Sequence, residues 1–138
     1  MIDLHEIKNN HDWSGFSEVD SFNGNNLVEG YICRTSNDYY GALFIEKVNY
    51  RKVPQLILCT PKLHYPFDST GHWHFPKAKE IKRFEKLDGT NIFGFTYQDE
   101  KGDKFVSYKT RLVPFLKNSK FGPFLEMWKG YILLRYPN

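Results

Sequence analysis

Residues 92–113, IFGFTYQDEKGDKFVSYKTRLV, decide how this chain folds. Two runs of strand-forming residues, 92–97 and 105–113, flank the polar turn Asp99, Glu100, Lys101, Gly102, Asp103. That pattern predicts a β-hairpin with a longer loop. Period-two alternation places Phe93, Phe95 and Tyr97 on one face of the first strand. On the returning strand it places Ser107, Lys109 and Arg111 together, so two cations point the same way.

Working outward, further strand-like runs occur at 27–34, 40–48 and 55–60, separated by turn residues or by Pro54. Residues 2–9 suit a short amphipathic helix, whereas 10–26, rich in Asn, Gly, Ser and Asp, read as a loop. The Gly/His/Pro-containing stretch 68–78 reads as another. Residues 123–136 carry the clear helical signal, with Gly122 and Pro123 suited to the N-cap and first helical position. Phe124, Leu125, Trp128, Ile132 and Leu133 recur along one face, which predicts a core stripe. The expected architecture is therefore α+β, mainly antiparallel sheet, with a C-terminal helix.

At 138 residues the chain is sized for one domain, spanning 1–138. No apolar run approaches the ~20 residues that span a bilayer, and MIDLHEIKNN lacks the plan of a signal peptide. A cytoplasmic or otherwise intracellular setting without membrane attachment is expected. In such a compartment Cys33 and Cys59, isolated in strand-like runs, are expected as buried thiols. The formal charge of +3 is compatible with a polyanionic ligand but far from that of a basic arm. Five cations cluster in KAKEIKRFEK, residues 77–86, which fits a nucleic-acid footprint or a strand edge guarded by lysines. His72 and His74 flank Trp73 with no thiolate pair or acid cluster nearby, so no metal ligand is assigned. Phosphate loops of the P-loop or dinucleotide type and the G-x-S-x-G elbow are absent from the sequence.

The segment EKLDGTN, residues 85–91, precedes the hairpin and carries the chemistry. A lysine amine attacks a phosphate only when neutral, yet a free lysine titrates at roughly 10.4. Partial burial and nearby positive charge disfavour the ammonium, so a reactive Lys86 calls for a cleft holding other cations or a metal. Gly89 permits close backbone approach to a ligand, and Asn91 offers an amide for a ribose hydroxyl. A plain Asp-Gly turn has the same local appearance.

The order Lys86, Leu87, Asp88, Gly89, Thr90, Asn91 resembles the K-x-D/H-G-x-N motif of covalent nucleotidyltransferases, which include ATP-dependent RNA ligases, DNA ligases and capping enzymes. YKTR, residues 108–111, resembles the K/R-rich motif that follows the nucleophile in RNA ligases, with Lys109 lying 23 positions after Lys86. CTPKLHYPF, residues 59–67, is similar in layout to the R-P-x-x-K-F-F stretch of bacteriophage-type ligases, with Thr60 in the place of arginine and His64 in that of lysine.

The resemblance implies a ligase-like nucleotidyltransferase domain in which Lys86 takes AMP from ATP with Mg²⁺ assistance. The AMP would then pass to an RNA 5′-phosphate for joining to a 3′-hydroxyl. It implies Glu85 and Leu87 beside the nucleotide, Asn91 near the ribose, and Lys109 and Arg111 on phosphate. The family's later motifs do not occur in the 138 residues, so the chain is expected to be the N-terminal portion of such a domain. On that expectation it self-associates or exposes aromatics around 92–97, and is not adenylylated unaided. A non-enzymatic β domain that stacks single-stranded bases, or another nucleotidyltransferase, is the alternative.

Overall fold

The structure, a computed structural model, describes residues 2–135. It is an α+β chain of six strands and two helices. A short helix, α1 (Leu4–Lys8), opens with a capping box in which Asp3 and Glu6 each accept from the other's backbone N–H. Four antiparallel strands follow in sequence order: β1 (Trp13–Asp20), β2 (Asn26–Cys33), β3 (Leu43–Val48) and β4 (Arg51–Ile57). The predicted hairpin forms a separate two-stranded sheet of β5 (Phe93–Gln98) and β6 (Lys104–Lys109). Helix α2 (Phe124–Arg135) ends the described chain.

Alternation on β2 divides the core. Val28 and Ile32 face one way and, with Leu43, Ile45 and Val48, meet Tyr97 and Phe115. Cys33 faces the other way and joins Trp13, Ala42, Phe44 and Ile7 of α1. The hairpin thus packs on one face of the sheet and α1 on the other. Between β4 and β5 the seam is made by a side chain: Gln55 Nε2 donates to the Gln98 carbonyl at 2.8 Å, and Gln98 N–H donates to Gln55 Oε1 at 2.9 Å.

A buried carboxylate fixes the hairpin's other side. Asp20, at the end of β1, is fully buried and accepts from Tyr97 Oη at 2.6 Å, Ser107 Oγ at 2.9 Å, Asn23 Nδ2 at 2.8 Å and the Phe22 N–H at 3.0 Å. Four donors around one carboxylate offset its desolvation without a cation. Burial and the bond to Asp20 push the Tyr97 phenol well above its ordinary range.

Several expectations are corrected. The stretch 10–26 contains β1, an edge strand in which Ser, Gly, Glu and Asp outnumber the apolar residues, so its composition reads as loop although every residue from Trp13 to Asp20 pairs with β2. The strand placed at 55–60 runs instead over Arg51–Ile57. Pro54 lies inside it, tolerated because β4 is the edge of its sheet. A two-residue turn of Asn49 and Tyr50, both at positive φ, connects it to β3. The second hairpin strand ends at Lys109 rather than at 113.

Phe93, Phe95 and Tyr97 do share a face, but it is not an exposed patch: Tyr97 is 1% exposed, and the rings of Phe95 and Tyr97 pack against Phe115. The α2 stripe is no core either, since no described residue of α2 is buried and Leu133 is largely exposed. Its N-terminus is capped from a distance, by Asn118 Oδ1 accepting from the N–H groups of Leu125 and Glu126. Residue 136, included in the expected helix, lies outside the described residues.

Candidate functional site

Between β4 and β5 the chain runs from residue 58 to 92 with no helix or strand of its own. EKLDGTN occupies the end of this connector and leads directly into β5. Glu85, Lys86, Leu87, Asp88, Gly89, Thr90 and Asn91 are all exposed. Gly89 sits at φ +138 with open space around its α-carbon. The expected enclosure of Lys86 is therefore corrected: its amine faces solvent, and among the described residues none forms a hydrogen bond or ion pair with it. A connector without sheet partners has nothing to build walls from.

Lys109 and Arg111 are placed quite differently. Lys109 lies on the same β6 face as Ser107 and is only 2% exposed. Its Nζ donates to the carbonyls of Gly41 and Arg111, both at 2.8 Å. Burial lowers the Lys109 ammonium to about 8; the Cys59 thiol opposes this and the Arg111 charge adds to it. Arg111, just beyond the strand, donates to the carbonyls of Tyr40 and Thr60 and, at 2.9 Å, to Thr60 Oγ1. Its guanidinium also lies 4.7 Å from the Tyr40 ring centre and 5.5 Å from that of Phe93. The two cations do converge, as the alternation predicted, but on backbone carbonyls of the β2–β3 turn and of Thr60.

Gly41 makes this approach possible. At φ +85 it adopts a backbone that side-chain-bearing residues avoid, and a Cβ there would stand 2.8 Å from both the Arg111 carbonyl and its Cγ. Sequence reading missed this turn, although a glycine closing the aromatic pair Tyr39–Tyr40 ahead of an apolar run was its visible signal.

Beside this cluster opens a cleft of about 350 Å³, within the usual size of small-molecule sites. Cys59, Thr60 and Pro61 form one wall, Phe93 and Phe95 another, and Lys109 lies at its lining. Two of the three sequence stretches singled out above contribute to it, and EKLDGTN supplies none of its lining. CTPKLHYPF supplies Cys59, Thr60 and Pro61; YKTR supplies Lys109; and Phe93 follows EKLDGTN by two residues. A second, more open concavity of about 790 Å³ runs between Gly89, Thr90 and Ile92 and the α2 residues Phe124, Trp128 and Tyr131. The Trp128 indole N–H there is buried without a partner among the described residues.

Among the described residues no group of three His, Cys, Asp or Glu side chains is arranged to hold a metal ion. His72 and His74 both serve Asp68 instead, His74 at 2.9 Å. Among the described residues no helix is long and apolar enough to cross a membrane. Comparison with known protein families, with curated proteins and with solved structures found no match to this chain.

Proposed function

We propose that the chain is the nucleotide-binding part of an ATP-dependent RNA ligase, a covalent nucleotidyltransferase. What supports the reading is that Cys59, Thr60 and Pro61 of CTPKLHYPF and Lys109 of YKTR line a single cleft.

In this reading ATP occupies the cleft, its phosphates drawn by the positive charge of Lys109 and Arg111. Both cations are already anchored on carbonyls, so their contribution is a fixed field rather than a flexible grip. Arg111 is held on Thr60, the residue that stands where the resembling motif carries its arginine. The Lys86 amine, delivered by the connector, attacks the α-phosphate. A nitrogen–phosphorus bond forms, the bond to pyrophosphate breaks, and the amine gives up a proton. Glu85 and Leu87 lie beside the base and Asn91 beside the ribose. The AMP then moves to an RNA 5′-phosphate and is displaced by a 3′-hydroxyl. Magnesium, in such reactions, neutralises phosphate charge; any ion would be carried in by the triphosphate oxygens.

A specific observation favours a second possibility for the nucleophile. Burial, a neighbouring cation and a lowered ammonium, the three properties asked of a reactive lysine, are found at Lys109. Titrating ATP into labelled protein should shift the NMR signals of Thr60, Phe93 and Lys109, and in a longer parent protein that carries the family's later motifs α-labelled ATP with magnesium should leave acid-stable label on Lys86. Label that survives Lys86→Ala and maps to Lys109 transfers the role. Neither shifts nor label would sink the reading.

A further inference from the structure

The connector carries a second feature that nucleotidyl transfer does not use. Phe67 and Trp73 pair in an antiparallel bridge, closed by a turn that Asp68 organises. Asp68 Oδ1 accepts from the N–H groups of Thr70 and His72 and from Thr70 Oγ1, while Oδ2 takes His74. These bonds, led by those of Thr70 and His74, hold its carboxyl down at about 2. Period two then places Tyr65, Phe67, Trp73 and Phe75 on one face of this small ribbon.

Their rings form a continuous row. Tyr65 and Phe67 stack at 5.3 Å, Phe67 meets Trp73 edge-on at 5.4 Å, and Trp73 and Phe75 lie nearly parallel, 8° apart, at 5.4 Å. The row is largely solvent-facing: Tyr65 is 72% exposed, Phe67 43%, Trp73 64% and Phe75 66%. Four adjoining exposed aromatics are an interaction surface rather than scattered surface residues.

Charge indicates the occupant. Residues 61–87 hold six Lys and Arg against three Asp and Glu, which leaves 13 of each in the rest of the chain. Over the whole connector, residues 58–92, Asp88 brings the balance to six against four, or +2 of the chain's +3. Immediately after Phe75 come Lys77, Lys79, Lys82, Arg83 and Lys86, all exposed. A protein partner for an apolar row needs no such excess, whereas a polyanion with flat apolar faces needs both.

We propose that this ribbon binds single-stranded nucleic acid, its bases stacking on the aromatic row and its phosphates following residues 77–86. Admitting a base between two rings needs about twice the ~3.4 Å stacking repeat. The observed centre separations are shorter, so bases lie on the outer faces of the row and are not intercalated. Stacking on ring faces is tolerant of sequence, so little base preference is expected. The surface stands apart from the cleft and does not depend on Lys86 being a nucleophile.

Fluorescence anisotropy with labelled U12 RNA and dT12 DNA tests this on the intact chain. Both oligonucleotides should bind, with affinity falling as salt rises, and a blunt duplex of the same length should bind at least tenfold more weakly. Trp73→Ala and Phe75→Ala should each weaken single-strand binding about tenfold while leaving the melting midpoint unchanged, because both rings are solvent-facing. Lys79→Glu combined with Lys82→Glu should weaken it further and flatten the salt dependence. Lys86→Arg keeps the charge and should retain binding while abolishing adenylylation of the longer parent protein, so the two proposals fail separately. Binding unaffected by Trp73→Ala overturns the inference, as does equal binding of duplex. A dimer in sedimentation that Trp73→Ala dissociates also overturns it, and assigns the row to a second copy of the chain.

Discussion

The sheet with its packed hairpin and the connector between β4 and β5 obey opposite rules. In the first, polar groups are buried and every one of consequence is answered: Asp20 by four donors, Lys109 by two carbonyls. In the second, large apolar side chains such as Leu63, Phe84 and Leu87 stand more than three-quarters exposed. One region spends its sequence on internal satisfaction, and the other leaves its binding capacity facing outward. The same residue type therefore has different consequences in each, and aspartate and lysine make the contrast measurable.

The largest expected effect is at Asp20. Asp20→Ala leaves the hydroxyls of Tyr97 and Ser107 without their acceptor inside the core, while the Asn23 amide keeps the Val106 carbonyl. Each orphaned donor costs about 1–3 kcal/mol. We expect a loss of roughly 4 kcal/mol in denaturant unfolding, on the same scale. A loss below about 1 kcal/mol would show that the hairpin is held by its aromatics alone.

Next in size is the pH response of Lys109. Its folded value of about 8 lies below the ordinary 10.5, so between those values the unfolded chain binds more protons and stability rises with pH. The gain from pH 8 to 9.5 should be about 1.5 kcal/mol, ahead of the range where tyrosines ionise in the unfolded chain. Lys109→Met should flatten that rise. An unchanged slope in the variant would place the response elsewhere.

The smallest effect is at the exposed counterpart of Asp20. Asp68 is depressed to about 2 from 3.8, so its contribution to the 66–74 turn is complete above about pH 4 and is lost as pH falls through about 2. NMR signals of Thr70 and His72 should follow that loss, and Asp68→Ala should remove it. The global melting midpoint should not move with Asp68→Ala. A shifted midpoint would mean that the connector is part of the cooperative core.

The hairpin was legible because its signal is local: alternation, a glycine-containing turn and two dense apolar runs. So were β2 and β3, close to their observed ends. β1 was not, since a strand dominated by Ser, Gly, Glu and Asp has the composition of a loop, and its pairing with β2 is invisible in its own residues. Pro54 misled for a related reason, because only the finished sheet shows that β4 is an edge. At the candidate site, the shared direction of Lys109 and Arg111 was readable from period two. What alternation cannot tell is which face is buried; that depends on the β2–β3 turn reaching back from residue 41. The exposure of Lys86 was equally unreadable, because a motif specifies chemistry without specifying walls.

The Gln55 amide has a mechanical corollary. It imitates a strand for one step only, so two hydrogen bonds stand where a continuous ladder would have tied β4 to β5. A ladder resists rotation, whereas a single amide behaves as a pivot. Ile57 on one side of that pivot and Phe95 on the other both line the cleft. Its width is set elsewhere, by the bonds of Tyr97 to Asp20 and of Lys109 to Gly41, which hold the hairpin on the sheet where no ladder does.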